Sequence, residues 1–485
     1  MSFNRRQILV TLATVIYFAV APVLCAQDSP TREAPVQETA QQPSTPKAAG
    51  RQYFPGVDDQ DTTDPSALTP DSLPLTGVQV PGLGSQEMRH SYFVPGIEYG
   101  NIIRSTALGQ PGTSDWNTTS FVAADLSLFQ RWSRAALGID YSGGGTFSTD
   151  PVLGNSFYHQ LQLVQGISWS RLRISFIDQF SYLPESQFGF GAGTSLAAAG
   201  VGGALGPSLP ALQTNYQPSQ SIYSTVGSRA SNSATIEGAL KVTPRGSLTM
   251  AASYGLLRFA EPGNVDTDDS ILSLGYDYVL SKTSTIGAVY RFTDYSYIGQ
   301  PQRIGDHSVQ AAYGRKITGK TTMQVFIGPE FTKFRTPLNG STSRTAVSGG
   351  ANLTYMWSRS NFTVTYNHGL AGGSGVFTGS KSDQVQGNLT QKLSQLWTGT
   401  VNVGFSRNSG LGLAESTDLS PSFNTWFVGA GVQRQLGRTA TFAVAYNAYV
   451  ESLELPTCSG GGCTSFVQHQ VSLSFQWHAR PLVLH

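Results

Sequence analysis

The sequence predicts an all-β chain: a transmembrane, antiparallel, up-and-down β-barrel of about 18 strands behind a disordered N-terminal periplasmic arm. Three observations lead there. From Ser91 to Trp477, stretches of alternating apolar and polar residues recur; Val471, Leu473, Phe475 and Trp477 face one way, Ser472, Ser474 and Gln476 the other. A period of two is the signature of a strand. Very short polar connections take turns with longer Gly/Ser/Asp-rich ones. Finally, the chain opens like a secretory signal, and no later segment has the run of about eighteen apolar residues that a membrane helix needs.

Residues 1–26 read as a signal peptide: Arg5 and Arg6 supply the positive end, Ile8 to Ala21 the apolar run, and Ala26 a cleavage site. Residues 27–89 are rich in Pro, Gln, Thr, Asp and Ser, which predicts a disordered periplasmic arm. Residues 90–485 form the barrel, with strand centres near Ile103, Leu126, Leu137, Leu163, Ile174, Ile236, Met250, Leu274, Ala288, Val309, Val325, Ala351, Val364, Gln386, Val401, Val428, Val444 and Leu473. An even strand number returns both chain ends to one side. Tiny connections such as Ser133-Arg134, Ser170-Arg171, Lys282-Thr283 and Gly437-Arg438 are the expected periplasmic turns; Gly143 to Asn155, Leu370 to Lys381 and Glu451 to Ser465 are expected outside. Of seven tryptophans, Trp132, Trp169, Trp357, Trp397 and Trp477 lie near predicted periplasmic strand ends. An indole favours the membrane–water boundary, so these five predict an aromatic girdle.

Composition agrees. Only 13% of the 485 residues are charged, glycine numbers 53, and aromatics reach 11%. A formal net charge of +1 without a basic stripe argues against nucleic acid as a partner. The second face of the strands is small and polar. Asp125, Asp140, Arg173, Glu237, Asp277, Arg291, Glu330, Gln386, Asn388 and Asn402 are the candidate lumen-lining residues. A barrel this wide cannot fill its interior with strand side chains alone, so water or a plug enters it. Cys25 leaves with the signal. In an oxidising compartment the remaining Cys458 and Cys463 are expected to form a disulfide across a Gly-rich loop.

No catalytic, cofactor or metal site is expected. Gly314 to Thr321 matches the phosphate-binding P-loop pattern, but strand alternation continues on both sides, where a P-loop would start a helix. There is no Gly-x-Ser-x-Gly elbow, and the seven histidines show no ligand spacing.

Between the fifth and sixth strands, Pro184 to Ser231 is much longer than its neighbours and rich in Gly and Ala. It is the third outside connection. In this the chain resembles bacterial porins, whose third outside loop folds into the lumen and narrows it. Pro184-Glu185-Ser186-Gln187-Phe188-Gly189 echoes a loop of general diffusion porins, with two residues inserted. The Tyr/Phe-rich strands and Arg-bearing turns also look like the β-barrel porins linked to exopolysaccharide secretion. The resemblance implies an outer-membrane protein, with arm and C-terminus in the periplasm, that lets hydrophilic solutes pass. An exopolysaccharide export or assembly barrel is the alternative, with a barrel enzyme or an adhesive barrel behind it. Outer-membrane lipid, the barrel-insertion machinery, the solute or polysaccharide, and a periplasmic partner for the arm are the implied partners.

Overall fold

The computed structural model describes residues 74–78, 91–105, 116–149, 154–184, 228–336, 340–411, 421–454 and 464–484. The strands are β1 (Ser91–Ser105), β2 (Trp116–Arg131), β3 (Ala135–Ser148), β4 (Asn155–Ser168), β5 (Leu172–Leu183), β6 (Arg229–Lys241), β7 (Gly246–Phe259), β8 (Thr267–Ser281), β9 (Ser284–Tyr297), β10 (Arg303–Lys316), β11 (Thr321–Thr336), β12 (Gly340–Met356), β13 (Ser360–Ala371), β14 (Ser380–Lys392), β15 (Trp397–Gly410), β16 (Ser422–Leu436), β17 (Ala440–Glu454) and β18 (Thr464–His478). Each of the eighteen expected centres falls inside one of them. A short β19 (Leu482–Leu484) follows, which the alternation did not signal.

From β1 to β18 each strand pairs antiparallel with its chain neighbours, and β1 pairs with both β2 and β18. The sheet is therefore a closed barrel without a long free edge. Closure gives the backbone N–H and C=O groups partners within the wall, the condition for crossing hydrocarbon with strands. β19 prolongs the line of β18 beside the start of β1, with Ser91 opposite Leu484.

The two faces differ in kind. Outside stand exposed apolar side chains: Ile97, Tyr99, Phe157, Met250, Leu272, Tyr276, Ile327, Val428 and Phe475 are examples. Inside, at the intervening positions, stand small polar ones, including Thr235, Ser253, Ser273, Ser308, Gln310, Ser406, Asn447, Gln470 and Ser472. That much uncovered apolar surface would associate in water, so the outer face suits a lipid solvent.

Near the rim that carries the longer loops, the outer face changes character. Tyr141 and His159, Tyr290 and His307, and Tyr446 and His469 each join hydroxyl to Nδ1 at 2.8–2.9 Å, with rings stacked 6.2 Å apart. A fourth group, His368 with Asp383 and Tyr366, sits on β13 and β14. An amphipathic ring pair of this kind is suited to a boundary between apolar and wet surroundings.

At the opposite, short-turn rim, three turns repeat Trp-Ser-Arg: Trp132–Arg134, Trp169–Arg171 and Trp357–Arg359. Each closes by its Trp N–H donating to the carbonyl three residues on, at 2.7–2.8 Å. Trp397 and Trp477 lie at strand ends on this same rim, and all five indoles are exposed. The turns also bond sideways. Ser168 N–H donates to Arg134 O, Lys241 N–H to Arg171 O, Met356 N–H to Lys320 O and Lys392 N–H to Arg359 O, each at 2.7 Å. One hairpin is thus tied to the next around the rim.

Candidate channel lumen

The inner wall includes the odd positions of β2, β5, β6, β7, β8, β9 and β17 and the even positions of β1, β3, β4, β10, β11, β14, β15 and β18. Parity puts Asp125, Asp140, Arg173, Glu237, Asp277, Arg291, Glu330, Gln386, Asn388 and Asn402 on this wall. They do not form one cluster. Asp125 accepts from Gln476 Nε2 at 3.3 Å, and Asp140 from the Ser127 hydroxyl at 2.6 Å. Glu330 accepts from the Leu370 N–H at 3.2 Å. That amide is available because β12 and β13 stop pairing at Gly349 and His368. Beside it, Asp306 accepts from the Thr332 hydroxyl at 2.9 Å. The sequence reading missed Asp306, Glu98, Asp269 and Glu451, all buried on the inner wall. The same period-two count would have found them: Glu98 stands between exposed Ile97 and Tyr99.

Glu237 and Asp277 are brought together by a part of the chain that the sequence had left without structure. Pro74–Val78, inside the stretch read as a disordered arm, forms a turn against the inner wall, closed by Gly77 N–H to Pro74 O at 3.2 Å. Thr76 N–H reaches both Asp277 oxygens at 3.1 and 3.2 Å, and its hydroxyl donates to Oδ2 at 2.7 Å. Since that hydroxyl proton is committed to Asp277, the 2.9 Å contact with Thr249 is donated by Thr249. Val78 N–H donates to Glu237 Oε1 at 2.9 Å. Both side chains therefore accept hydrogen bonds from the turn.

Apolar contacts fix the ends of the turn. Val78 is fully buried with Val164, Ile177, Ala251 and Ile271. Leu75 packs with Ala312 and Phe326. The turn thus lies across the wall from β4 and β5 to β10 and β11. The wall is cut back to receive it: a Cβ on Gly275 would stand 2.4 Å from Thr76 Oγ1, and one on Gly287 2.8 Å from Thr76 Cγ2. Gly77 itself has no room for a side chain, because its Cβ would meet Glu237 Oε1 at 2.3 Å. These glycines and inward aliphatics are the signal in the sequence for a docked segment.

At the long-loop rim, the connection Gly372–Gly379 folds toward other loops. Gly375 O accepts from Val265 N–H at 2.7 Å, and Thr378 exchanges two bonds with the Gln302 side chain. Positive φ at Gly373, Ser374, Gly375 and Gly379 permits the path. Tyr297, Ile304 and Phe334 pack beneath, with Val265 and Leu411 against them. The loop predicted to enter the lumen, Pro184 to Ser231, lies outside the described residues apart from its two ends, as do Cys458 and Cys463. The P-loop-like segment is a hairpin between β10 and β11, closed by Ile317 N–H to Thr321 O at 2.9 Å, with no helix after Lys320.

No protein-family model matches the sequence, and no curated protein matches it. Solved structures do. The outer membrane protein OpdK of Pseudomonas aeruginosa matches over 80% of this chain and 99% of its own, with 10% identity and a TM-score of 0.41. OccK2 of Pseudomonas aeruginosa, in complex with glucuronate, matches over 82% of this chain and 99% of its own, with 11% identity and a TM-score of 0.42. A BenF-like porin of Pseudomonas fluorescens matches over 81% and 98%, with 9% identity and a TM-score of 0.40. The barrel fold of this chain rests on its own strand pairing.

Proposed function

We propose that this chain is an outer-membrane channel for passive passage of small hydrophilic solutes, narrowed by its own arm at Pro74–Val78. The observation that carries this reading is the closed sheet with one apolar and one polar face. A wall of that kind separates lipid outside from a wet path inside. Acids and bases share the inner wall, so ion selectivity is expected to be weak. A lumen crossed by a docked turn lends no support to exopolysaccharide export. The longer loops face the exterior and the short turns the periplasm, where the Trp132, Trp169, Trp357, Trp397 and Trp477 girdle would sit at the inner boundary.

Proteoliposomes carrying the full chain should swell in iso-osmotic glucuronate or small sugars and not in large dextrans. Swelling no faster than in protein-free liposomes would reject the channel.

The pair Cys458 and Cys463 is proposed to be oxidised and outside the cell. Maleimide should label whole cells only after a reductant is added; labelling beforehand would show free thiols.

A further inference from the structure

We propose that the outer face at the top of β10 and β11 binds the phosphate of a membrane lipid headgroup in the leaflet on the long-loop side. The inference rests on the membrane reading above. Arg303 and Arg335 stand directly opposite each other across the β10–β11 pair, and Lys333 is opposite Gly305 on the same face. Like charges opposite one another destabilise a strand pair unless something neutralises them. One acid takes part: Asp294 Oδ2 is 2.9 Å from Arg303 Nη2. Among the described residues, neither Lys333 nor Arg335 has a hydrogen-bond or ion-pair partner, and both are exposed. Two cations are thus left over on one small area.

Their height selects the ligand. Immediately below on the same face come Phe331, 47% exposed, then Ile327 and Val309. Beside them are Tyr290 and His307, one of the ring pairs that mark the change from apolar to polar surface. A charge pair that faces outward, directly above an apolar belt, is where a lipid places its phosphate once its acyl chains lie on that belt. Arg supplies planar paired donors for phosphate and Lys a point charge. A soluble anion would gain only the upper half of this arrangement.

The test uses the full-length, delipidated protein and native mass spectrometry with diphosphorylated lipid A, the same lipid dephosphorylated, and inorganic phosphate. The expected result is retention of the phosphorylated lipid at least tenfold tighter than of the dephosphorylated one, with little retention of free phosphate. The double variant Lys333→Gln/Arg335→Gln, which keeps the Arg303–Asp294 pair, should lose that preference by about tenfold while still running as a folded barrel on an unheated gel. Single Lys333→Gln serves if the double variant does not fold. Equal retention of both lipids by the wild type would overturn the proposal, as would unchanged preference in the variant. Free phosphate held as tightly as the lipid would reassign the site to a soluble anion and overturn it as well. Conductance recorded on the same protein separates the two readings: a conducting barrel without lipid preference sinks this inference alone.

Discussion

Single-channel conductance should rise several-fold when Pro74–Val78 is replaced by a Gly-Ser linker of the same length. The turn occupies the wall between β4 and β11 and removes that section from the open path. Its hold is finite. Burial of Leu75 and Val78 contributes about 1.5–3 kcal/mol each. The three bonds from Thr76 and Val78 to Asp277 and Glu237 contribute about 0.5–1.5 kcal/mol apiece. Against this, ordering each backbone residue of the turn costs about 1–2 kcal/mol. The two sides are of similar size, so the turn can leave without unfolding the barrel. Thr76→Ala removes a bond to Asp277 and should raise conductance part of the way. Gly77→Val should act as strongly as the linker, because its side chain takes the place of Glu237 Oε1. Equal conductance in wild type and linker variant would show that the turn does not narrow the path.

Gly328→Val should abolish the folded barrel, the largest effect expected of any single substitution here. A Cβ on Gly328 would lie 1.8 Å from Val309 O and 2.7 Å from Gln310 Cα. Both are backbone atoms of β10 and cannot swing aside. The next residue is Pro329, which offers no N–H to the ladder, and the β10–β11 register skips this point, passing from Ser308–Glu330 to Ala311–Ile327. Two strands approach closely there with no bond to spare. Overpacking alone costs about 1–3 kcal/mol, and separating the strands would break further backbone pairs. Gly238→Ala is the control, since nothing lies within 4 Å of its Cβ. The unheated-gel mobility shift of a folded barrel should survive Gly238→Ala and vanish in Gly328→Val. Survival in both would mean that β10 yields more easily than its backbone contacts imply.

The strands were legible because period two is a local property: each residue's face is decided by its neighbours at i ± 2. Val471 to Trp477 announces β18 without knowledge of any partner. The same rule reaches the inner wall one residue at a time, which is why Asp125 and Glu237 were readable and Glu98 was within reach. What the rule cannot give is a contact between distant segments. Thr76 and Asp277 lie about two hundred positions apart, and nothing near Thr76 hints at a strand or a helix. Its environment suggested an unstructured arm, because Pro, Gln, Thr and Asp dominate there. The docked turn gets its order from the wall, whose Gly275 and Gly287 are meaningful only once Thr76 is seen between them. β19 escaped for a related reason. Three residues after a proline carry no periodic signal, and they become a strand only because β1 offers an edge.

The sideways bonds between neighbouring turns have a mechanical consequence. They act as a hoop around the barrel's narrow-turn end, so strain on one hairpin is shared by the next instead of opening a local gap. Amides such as those of Ser168, Lys241, Met356 and Lys392, although at the ends of strands, are held by the adjacent hairpin and should exchange with solvent deuterium as slowly as amides deep in the wall. The other end carries loops of unequal length. Added sequence will therefore be absorbed at the long-loop mouth and resisted at the other, which keeps a stiff collar.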